Sequence, residues 1–260
     1  MTQESLSFDR AADYYDRTRA LSPATMSAIV AMLSEELRDR DRTLEVGVGT
    51  GRIALPLADT GIRLAGVDLS MPMMARLVHK AGGRPPFPLA VADATVLPFA
   101  DAAFGAAFVV HVLHLIPRWR DAVREMARVC VPGGVLLMDL GGWHGASHEI
   151  NERFFESVGL RPKRHRGLGE DEWDQLDELL AETGGRARPL PEIVDERRTT
   201  PNEVIDGLAS GLFSQTWSVP EETLREAGVE TREWALERYG SLTEPIVART
   251  PIRWRAFDLP

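Results

Sequence analysis

The sequence holds a single cysteine, Cys130. One thiol cannot form an intrachain disulfide framework or a cysteine-based metal site. Cys130 stands beside apolar residues on what reads as the end of a helix, which predicts an inert, packed thiol. Positive charge is also in short supply: 30 Lys and Arg face 39 Asp and Glu, a net charge of -9. A nucleic-acid partner is therefore not expected, because phosphate binding needs clustered cations. Long apolar runs are missing as well. The longest, Ala102 to Ile116, carries two histidines and is too short to span a bilayer. The first residues, Met1-Thr2-Gln3-Glu4-Ser5, are polar and acidic, unlike a secretory signal, so a cytoplasmic protein is expected. No two histidines share metal-ligand spacing with a carboxylate, so no metal is expected.

What is present is an alternation of strand and helix patterns. A chain of 260 residues suits one large α/β domain with a small appended piece. The chain is organised around Leu44-Glu45-Val46-Gly47-Val48-Gly49-Thr50-Gly51-Arg52. Apolar residues run into an acidic one, three glycines alternate, and a helical pattern from Ile53 to Ala58 follows. Glycine permits positive φ and lets backbone approach a ligand. An ordinary β-to-α turn needs only one; three between a strand and a helix point to ligand binding.

Taken in order, residues 8–19 read as a short amphipathic helix bearing Tyr14 and Tyr15. Ser22 and Pro23 start a second helix, as N-cap and first helical residue. Its Met26, Ile29, Val30, Leu33 and Leu37 form one apolar face, suited to covering a sheet. Strands are expected at Thr43 to Val48, Ile62 to Val67, Phe87 to Val91, Phe104 to Val112 and Val135 to Leu140, with helices between them. The fourth is continuously apolar, as in a strand buried on both faces. Alternation of this kind gives a parallel sheet with right-handed crossovers. Ligands then sit beyond the carboxyl ends of the strands. Glu45, Asp68, Asp93, His111, His114 and Asp139 all fall at that edge.

After strand five the alternation breaks. The stretch 141–186 is too long for one crossover and contains no strand pattern. It reads as a helical cap over the active edge, with a helix near Ala146 to Val158, a basic loop from Arg161 to Arg166, and an acidic helix with Trp173, Leu176, Leu179 and Leu180 inward. A strand near Pro189 to Arg198, two helices (Pro201 to Leu212 and Pro220 to Arg238), and a last strand from Ile246 to Phe257 follow. A late hairpin-like return completes a seven-stranded sheet. The expected organisation is N-terminal helices or lid over 1–40, cofactor-binding core over 41–140, helical cap as substrate region over 141–186, and completion of the sheet over 187–260.

An adenosine-bearing ligand fits this pattern. A carboxylate ending the second strand, here Asp68, can accept both ribose hydroxyls. Two cofactors compete. Gly49-Thr50-Gly51-Arg52-Ile53-Ala54 satisfies the dinucleotide pattern G-x-G-x-x-A, so NAD(P) is not excluded by the loop alone. S-adenosylmethionine has no pyrophosphate, but its ammonium needs a nearby anion. Glu45 supplies that anion or orders the loop that does, and Asp93 offers an acceptor to an adenine amino group.

Four segments in order resemble the class I S-adenosylmethionine-dependent methyltransferases, in the branch grouped with the quinone-biosynthesis enzymes (methyltransferase 11 type). They are Glu45 to Arg52, Gly66-Val67-Asp68-Leu69-Ser70, Ala92-Asp93-Ala94-Thr95-Val96-Leu97-Pro98-Phe99, and Val131-Pro132-Gly133-Gly134-Val135-Leu136. The resemblance covers residues 8–140 well and the last two strands loosely. It implies a Rossmann-like fold with helices on both faces of the sheet, and S-adenosylmethionine as cofactor, leaving S-adenosylhomocysteine. It further implies that Gly47, Gly49 and Gly51 flank the methionine part and that Asp68 binds the ribose. Leu69 lies against adenine, Asp93 and the Ala94 N–H read its edge, His111 lines the methionine end, and Tyr14 is an aromatic lid. Position 48 is Val where the family often has Cys or Ser, but only its backbone is needed.

Methyl transfer needs a base only where the acceptor loses a proton. His111 and His114 are the first candidates; His144 and His148 lie in the expected cap. DNA amino-methylation motifs are missing after strand four, and Pro85-Pro86-Phe87 precedes strand three. Cytosine C5 chemistry needs a thiol that Cys130 is misplaced to supply. A small organic acceptor is the reading that remains. The basic loop Arg161 to Arg166 is either a solvated loop pairing with the acidic helix or a recruiter of anionic acceptors. A NAD(P)-dependent oxidoreductase and a non-catalytic adenosyl-binding protein are the alternatives.

Overall fold

The structure, a computed structural model, describes residues 5–139, 146–159, 167–169 and 172–260. Its centre is a sheet of seven strands in the order β3-β2-β1-β4-β5-β9-β6. These are β1 Thr43–Val46, β2 Leu64–Asp68, β3 Leu89–Val91, β4 Phe104–Val110, β5 Cys130–Asp139, β6 Arg186–Pro189 and β9 Trp254–Asp258. Strands β1 to β5 pair in parallel, and β9 runs antiparallel between β5 and β6. The expected mostly parallel seven-stranded sheet is what forms.

Every residue of β4 is buried, and its side chains alternate between two cores. Ala107 and Val109 join Leu44, Val46, Leu136 and Met138 on one face. Ala106, Phe108 and Val110 join Leu137 and Val135 on the other. This is the period-two geometry of a central strand. Helix α5 (Trp119–Val129) covers the first face with Trp119, Val123, Met126 and Val129. Helices α2 (Pro23–Leu37), α3 (Ala54–Ala58) and α4 (Met71–Lys80) cover the second. Ser22 caps α2, its hydroxyl accepting from the Thr25 N–H at 3.1 Å, and Ser70 caps α4 in the same way from Met73. Both caps precede a proline in the first turn, as helix starts favour.

Three parts depart from the expected reading. Helix α5 ends at Val129, so Cys130 opens β5 instead of lying on a helix. The Pro132-Gly133-Gly134 stretch is carried inside the strand by a register shift opposite Phe104 to Ala106, with Gly133 at φ +72. Cys130 is buried, and desolvation pushes its thiol up to about 12, so it is unreactive.

The strand expected over 189–198 is two strands, β6 and β7 (Ile193–Thr199), and the last strand is also two, β8 (Ile246–Ile252) and β9. β7 and β8 pair antiparallel in a separate ribbon. The half-exposed alternation of Ile246–Ile252 suits such a ribbon, whereas Trp254, Ala256 and Phe257 are all buried and suit a place in the central sheet.

Within the stretch expected as a cap, helix α7 (Trp173–Ala181) buries Leu176, Leu179 and Leu180 in the α5-side core and so covers the sheet. Helix α6 (Ala146–Ser157) packs instead with α8 (Pro201–Ala209) and α9 (Glu221–Tyr239) through Ile150, Phe154, Phe155, Ile205, Leu208, Leu224 and Ala235. The helical layer thus draws on both sides of residue 187. Residues 5–19, with helix α1 (Tyr15–Arg19), run along the carboxyl edge. Among the described residues no helix is long and apolar enough to cross a membrane.

Candidate active site

Strand β1 ends at Val46 and the chain turns at Gly47, whose φ is +76. A Cβ there would lie 2.3 Å from Val112 Cγ2, so glycine is required twice over. Four of the loop's N–H donors are already taken. The N–H groups of Gly47 and Val48 both reach the Val67 carbonyl, at 2.8 and 2.9 Å, and that of Gly51 reaches the Val48 carbonyl at 2.9 Å. Gly49 donates to Asp68 Oδ2 at 2.8 Å, and Ser70 to Asp68 Oδ1 at 2.7 Å. Asp68 therefore ties the loop to the end of β2. Burial raises its pKa above the ordinary carboxylate value, and the bonds from Ser70 and Gly49 oppose that rise.

A pocket opens above this loop at the carboxyl ends of β1 to β4. One end is walled by Leu69, Met73, Asp93 and Ala94, and the other by His111, Val112, His114, Leu115 and Ile116. Phe8, Tyr15 and Arg19 close it from the N-terminal segment, and Ser214 reaches it from the turn after α8. Asp93 is braced by Thr95, whose N–H and hydroxyl both donate to Oδ1 at 2.8 Å. His111 sits in left-handed backbone at φ +53. Its Nε2 lies 3.2 Å from Asp139 Oδ2, and the Asp139 side chain is only 2% exposed. Desolvation lowers the imidazole pKa, Asp139 opposes this, and Arg52 and Arg19 add to the lowering. Burial and the two arginines thus favour the neutral form of the ring.

Comparison with known proteins places this architecture. The Methyltransferase domain family matches residues 44–138, from the start of β1 to the end of β5. The O-methyltransferase resE of Aspergillus sclerotiorum is 30% identical over 189 residues, covering 68% of this chain and 69% of its own length. The chain belongs to the class I S-adenosylmethionine-dependent methyltransferases, of the methyltransferase 11 type. A demethylmenaquinone methyltransferase of Corynebacterium efficiens is 33% identical over 134 residues, 50% of this chain and 56% of that protein. The chain spans about half the length of the first curated relatives it matches. Among solved structures, the YcgJ protein of Bacillus subtilis superposes with a TM-score of 0.59 at 17% identity, over 91% of this chain and 99% of that one, and shows the shared fold.

The methyltransferase residues expected from sequence divide in two. Gly47, Gly49, Asp68, Leu69, Asp93, Ala94, His111 and His114 all line the pocket. Glu45, Val48, Gly51 and Tyr14 are not on its wall. Glu45 is buried beneath the loop, where the Ala54 N–H donates to it. Its Oε2 has no partner among the described residues. Val48 turns away against Gly66, and Gly51 packs on Leu55 and Leu77. The aromatic on the pocket is Tyr15, edge-on to Phe8 at 5.9 Å, whereas the Tyr14 hydroxyl is buried without a partner among the described residues. α1 begins at Tyr15, so adjacent rings project in different directions.

Phe8 and Arg19 were not expected from the sequence as wall residues, and Tyr15 only as lid or packing beside Tyr14; no strand-end position marks them. Asp139 was marked only by its place after strand five. His148 pairs with Glu152 on α6, 3.3 Å away. His144 and the basic stretch Arg161 to Arg166 lie outside the described residues.

The site fits S-adenosylmethionine by the chemistry of its donors and acceptors. Leu69 is 40% exposed at the pocket, an apolar surface for a base. Asp68 accepts from Gly49 on Oδ2 and from Ser70 on Oδ1, and a carboxylate can accept further hydroxyl donors beside such bonds. Arg19, on the pocket wall, supplies a guanidinium for the carboxylate of a zwitterionic amino-acid group, and Glu45 acts only through the loop above it.

Proposed function

We propose that the chain transfers a methyl group from S-adenosylmethionine to a small-molecule acceptor. One observation carries the choice over a nicotinamide dinucleotide. Pyrophosphate binding at a βα turn uses free N–H groups of the loop and helix start. Here the N–H groups of Gly47, Val48, Gly49 and Gly51 are committed to Val67, Asp68 and Val48, and that of Ala54 to Glu45. A buried carboxylate stands where a phosphate would need positive potential. The same loop suits a ligand that presents donors and a cation.

When bound, the cofactor supplies a methyl group already activated on a sulfonium. The residues of the chain then have three tasks. Asp68, Leu69 and Asp93 hold the nucleoside end. Glu45, through the loop it supports, and Arg19 orient the amino-acid end. Phe8, Tyr15, Leu115 and Ile116 exclude water and align the acceptor, and positioning of this kind contributes several kcal/mol to such a displacement.

Titration calorimetry with S-adenosylhomocysteine, NAD and NADP tests the reading. Micromolar binding of the first and none of the others is expected; the reverse overturns it. At 100 times its Kd the ligand adds about 2.7 kcal/mol of stability, a Tm rise of roughly 5–10 °C. Asp68→Ala should abolish that rise. Release of S-adenosylhomocysteine in the presence of an acceptor separates an enzyme from a protein that only binds the cofactor.

A further inference from the structure

We infer that His111, positioned by Asp139, takes the proton of a hydroxyl acceptor, so that the protein is an O-methyltransferase of apolar, hydroxyl-bearing molecules. The inference rests on the methyltransferase reading of the same pocket. His111 follows β4 and Asp139 ends β5, and the two strands are adjacent in the sheet, Val110 pairing with Asp139. The left-handed backbone at His111 brings its Nε2 to 3.2 Å from Asp139 Oδ2. Non-glycine residues seldom hold that conformation, and such strain gathers at functional positions.

The contact has a chemical consequence. A neutral imidazole must present Nε2–H to a carboxylate, which leaves the Nδ1 lone pair as its only proton acceptor. His111 lines the pocket. The charged and titratable groups facing it are Asp139 from β5, Arg52 from the glycine loop, Arg19 from α1 and His114 in the same wall. Burial and the two arginines favour the unprotonated ring at rest, and the Asp139 carboxylate beside Nε2 stabilises the imidazolium once it forms. In the transfer, the O–H bond of the acceptor breaks, its proton passes to Nδ1, and the oxygen bonds the methyl carbon as the carbon–sulfur electron pair leaves with sulfur. A neutral amine or a thioether would need no such base during attack. The pocket that His111 lines also presents Leu6, Phe8, Tyr15, Leu115 and Ile116, suited to an apolar body.

Nitrogen-15 NMR of the full chain loaded with S-adenosylhomocysteine tests this, with the His111 signals assigned by their loss in His111→Gln. At pH 7 the wild-type ring should be neutral and carry its proton on Nε2. Its titration midpoint should fall by half a unit or more in Asp139→Asn. A ring protonated on Nδ1, a charged ring, or a midpoint that Asp139→Asn leaves in place overturns the inference. With 2-naphthol as probe acceptor, product formation should drop about 100-fold in Asp139→Asn at pH 7. Methylation of 2-naphthylamine or 2-naphthalenethiol by a protein that leaves 2-naphthol untouched also overturns it. S-adenosylhomocysteine binding to the wild type is measured first: its failure defeats the methyltransferase reading itself, whereas binding with the wrong tautomer defeats only the assignment of His111 and Asp139.

Discussion

Glu45 shows at the residue scale how this site costs stability. Its carboxyl is 3% exposed and its pKa is raised well above the ordinary value by burial, a rise that Arg52 opposes and Asp68 reinforces. A carboxyl raised in the folded state favours folding at low pH and penalises it increasingly as pH climbs past the unfolded value near 4.3. Glu45→Gln removes the charge and keeps the shape. The variant should melt higher than wild type at pH 7, by about 2–4 °C per kcal/mol recovered, with the gap closing toward pH 4. Its affinity for S-adenosylhomocysteine should fall at least about tenfold. Equal melting temperatures at pH 7 would remove the buried-charge account. Gly47→Ala acts in the opposite sense. Its Cβ would meet Val112 at 2.3 Å in positive-φ backbone, so a loss of about 2–4 kcal/mol is expected in urea unfolding. Asp68 and Asp93 were legible at the pocket edge because strand ends fix which edge a residue reaches, whereas Leu69 and Ala94 came only with the family resemblance. Val48 and Gly51 were not, since the sequence gives the loop but not the direction in which each residue turns. For the same reason the sequence leaves open which of Tyr14 and Tyr15 faces the pocket, and it is Tyr15 that lines it.

At the scale of elements, the N-terminal segment closes the pocket through contacts that are individually weak. The Leu6 N–H reaches the Leu115 carbonyl at 3.4 Å, and the Phe8 ring meets Trp217 at a tilt, centroids 5.0 Å apart. Asp16 accepts from the Thr50 hydroxyl at 2.5 Å and from Lys80 at 2.9 Å, while Asp13 pairs with Arg76. Arg52 holds the Arg19 carbonyl at 2.9 Å and so joins α1 to the glycine loop. Exposed ion pairs of this type contribute little to global stability. Asp16→Ala should therefore change the unfolding free energy by about 1 kcal/mol or less and still raise amide exchange across residues 5–19. The dissociation rate of S-adenosylhomocysteine should rise several-fold, and salt should mimic the effect in the wild type. Unchanged exchange would mean that the segment is held by its aromatic contacts alone. Elements with one dominant signal were legible: the caps at Ser22 and Ser70, the doubly buried β4 and the glycine loop. The split of the last strand at Arg253 was not, because alternation continues through it and only the pairing partner changes. Nor was the fate of α7, since an apolar stripe says that a helix packs but not on what.

At the scale of the whole molecule, the helices α8 and α9 sit between β7 and β8 in the chain, so the ribbon carries the helical layer on the domain. Asp195 on β7 is the polar tie between that ribbon and the sheet-covering helix α2. It is 4% exposed and accepts from the Ser22 N–H at 3.2 Å and the Thr25 hydroxyl at 2.7 Å, with Arg197 at 2.6 Å. Burial alone would raise its pKa, but the bonds from Thr25, Arg197 and Ser22 prevail and hold it below the ordinary value. The sign of the linkage follows: a carboxyl lowered in the folded state stabilises fully above its unfolded value near 3.9, and that contribution is lost as pH falls through the folded value. Asp195→Ala leaves Thr25 and Arg197 without their acceptor and unpins the ribbon from the start of α2. Charge-assisted bonds of this burial contribute about 2–3 kcal/mol together, so the variant should melt roughly 5–10 °C lower at pH 7. The difference should begin to shrink below about pH 3.9 and be lost as pH falls through the lower folded value, where the wild-type carboxyl is itself neutralised. A constant difference between pH 7 and pH 3 would show that the tie acts through packing and not through the charge of Asp195.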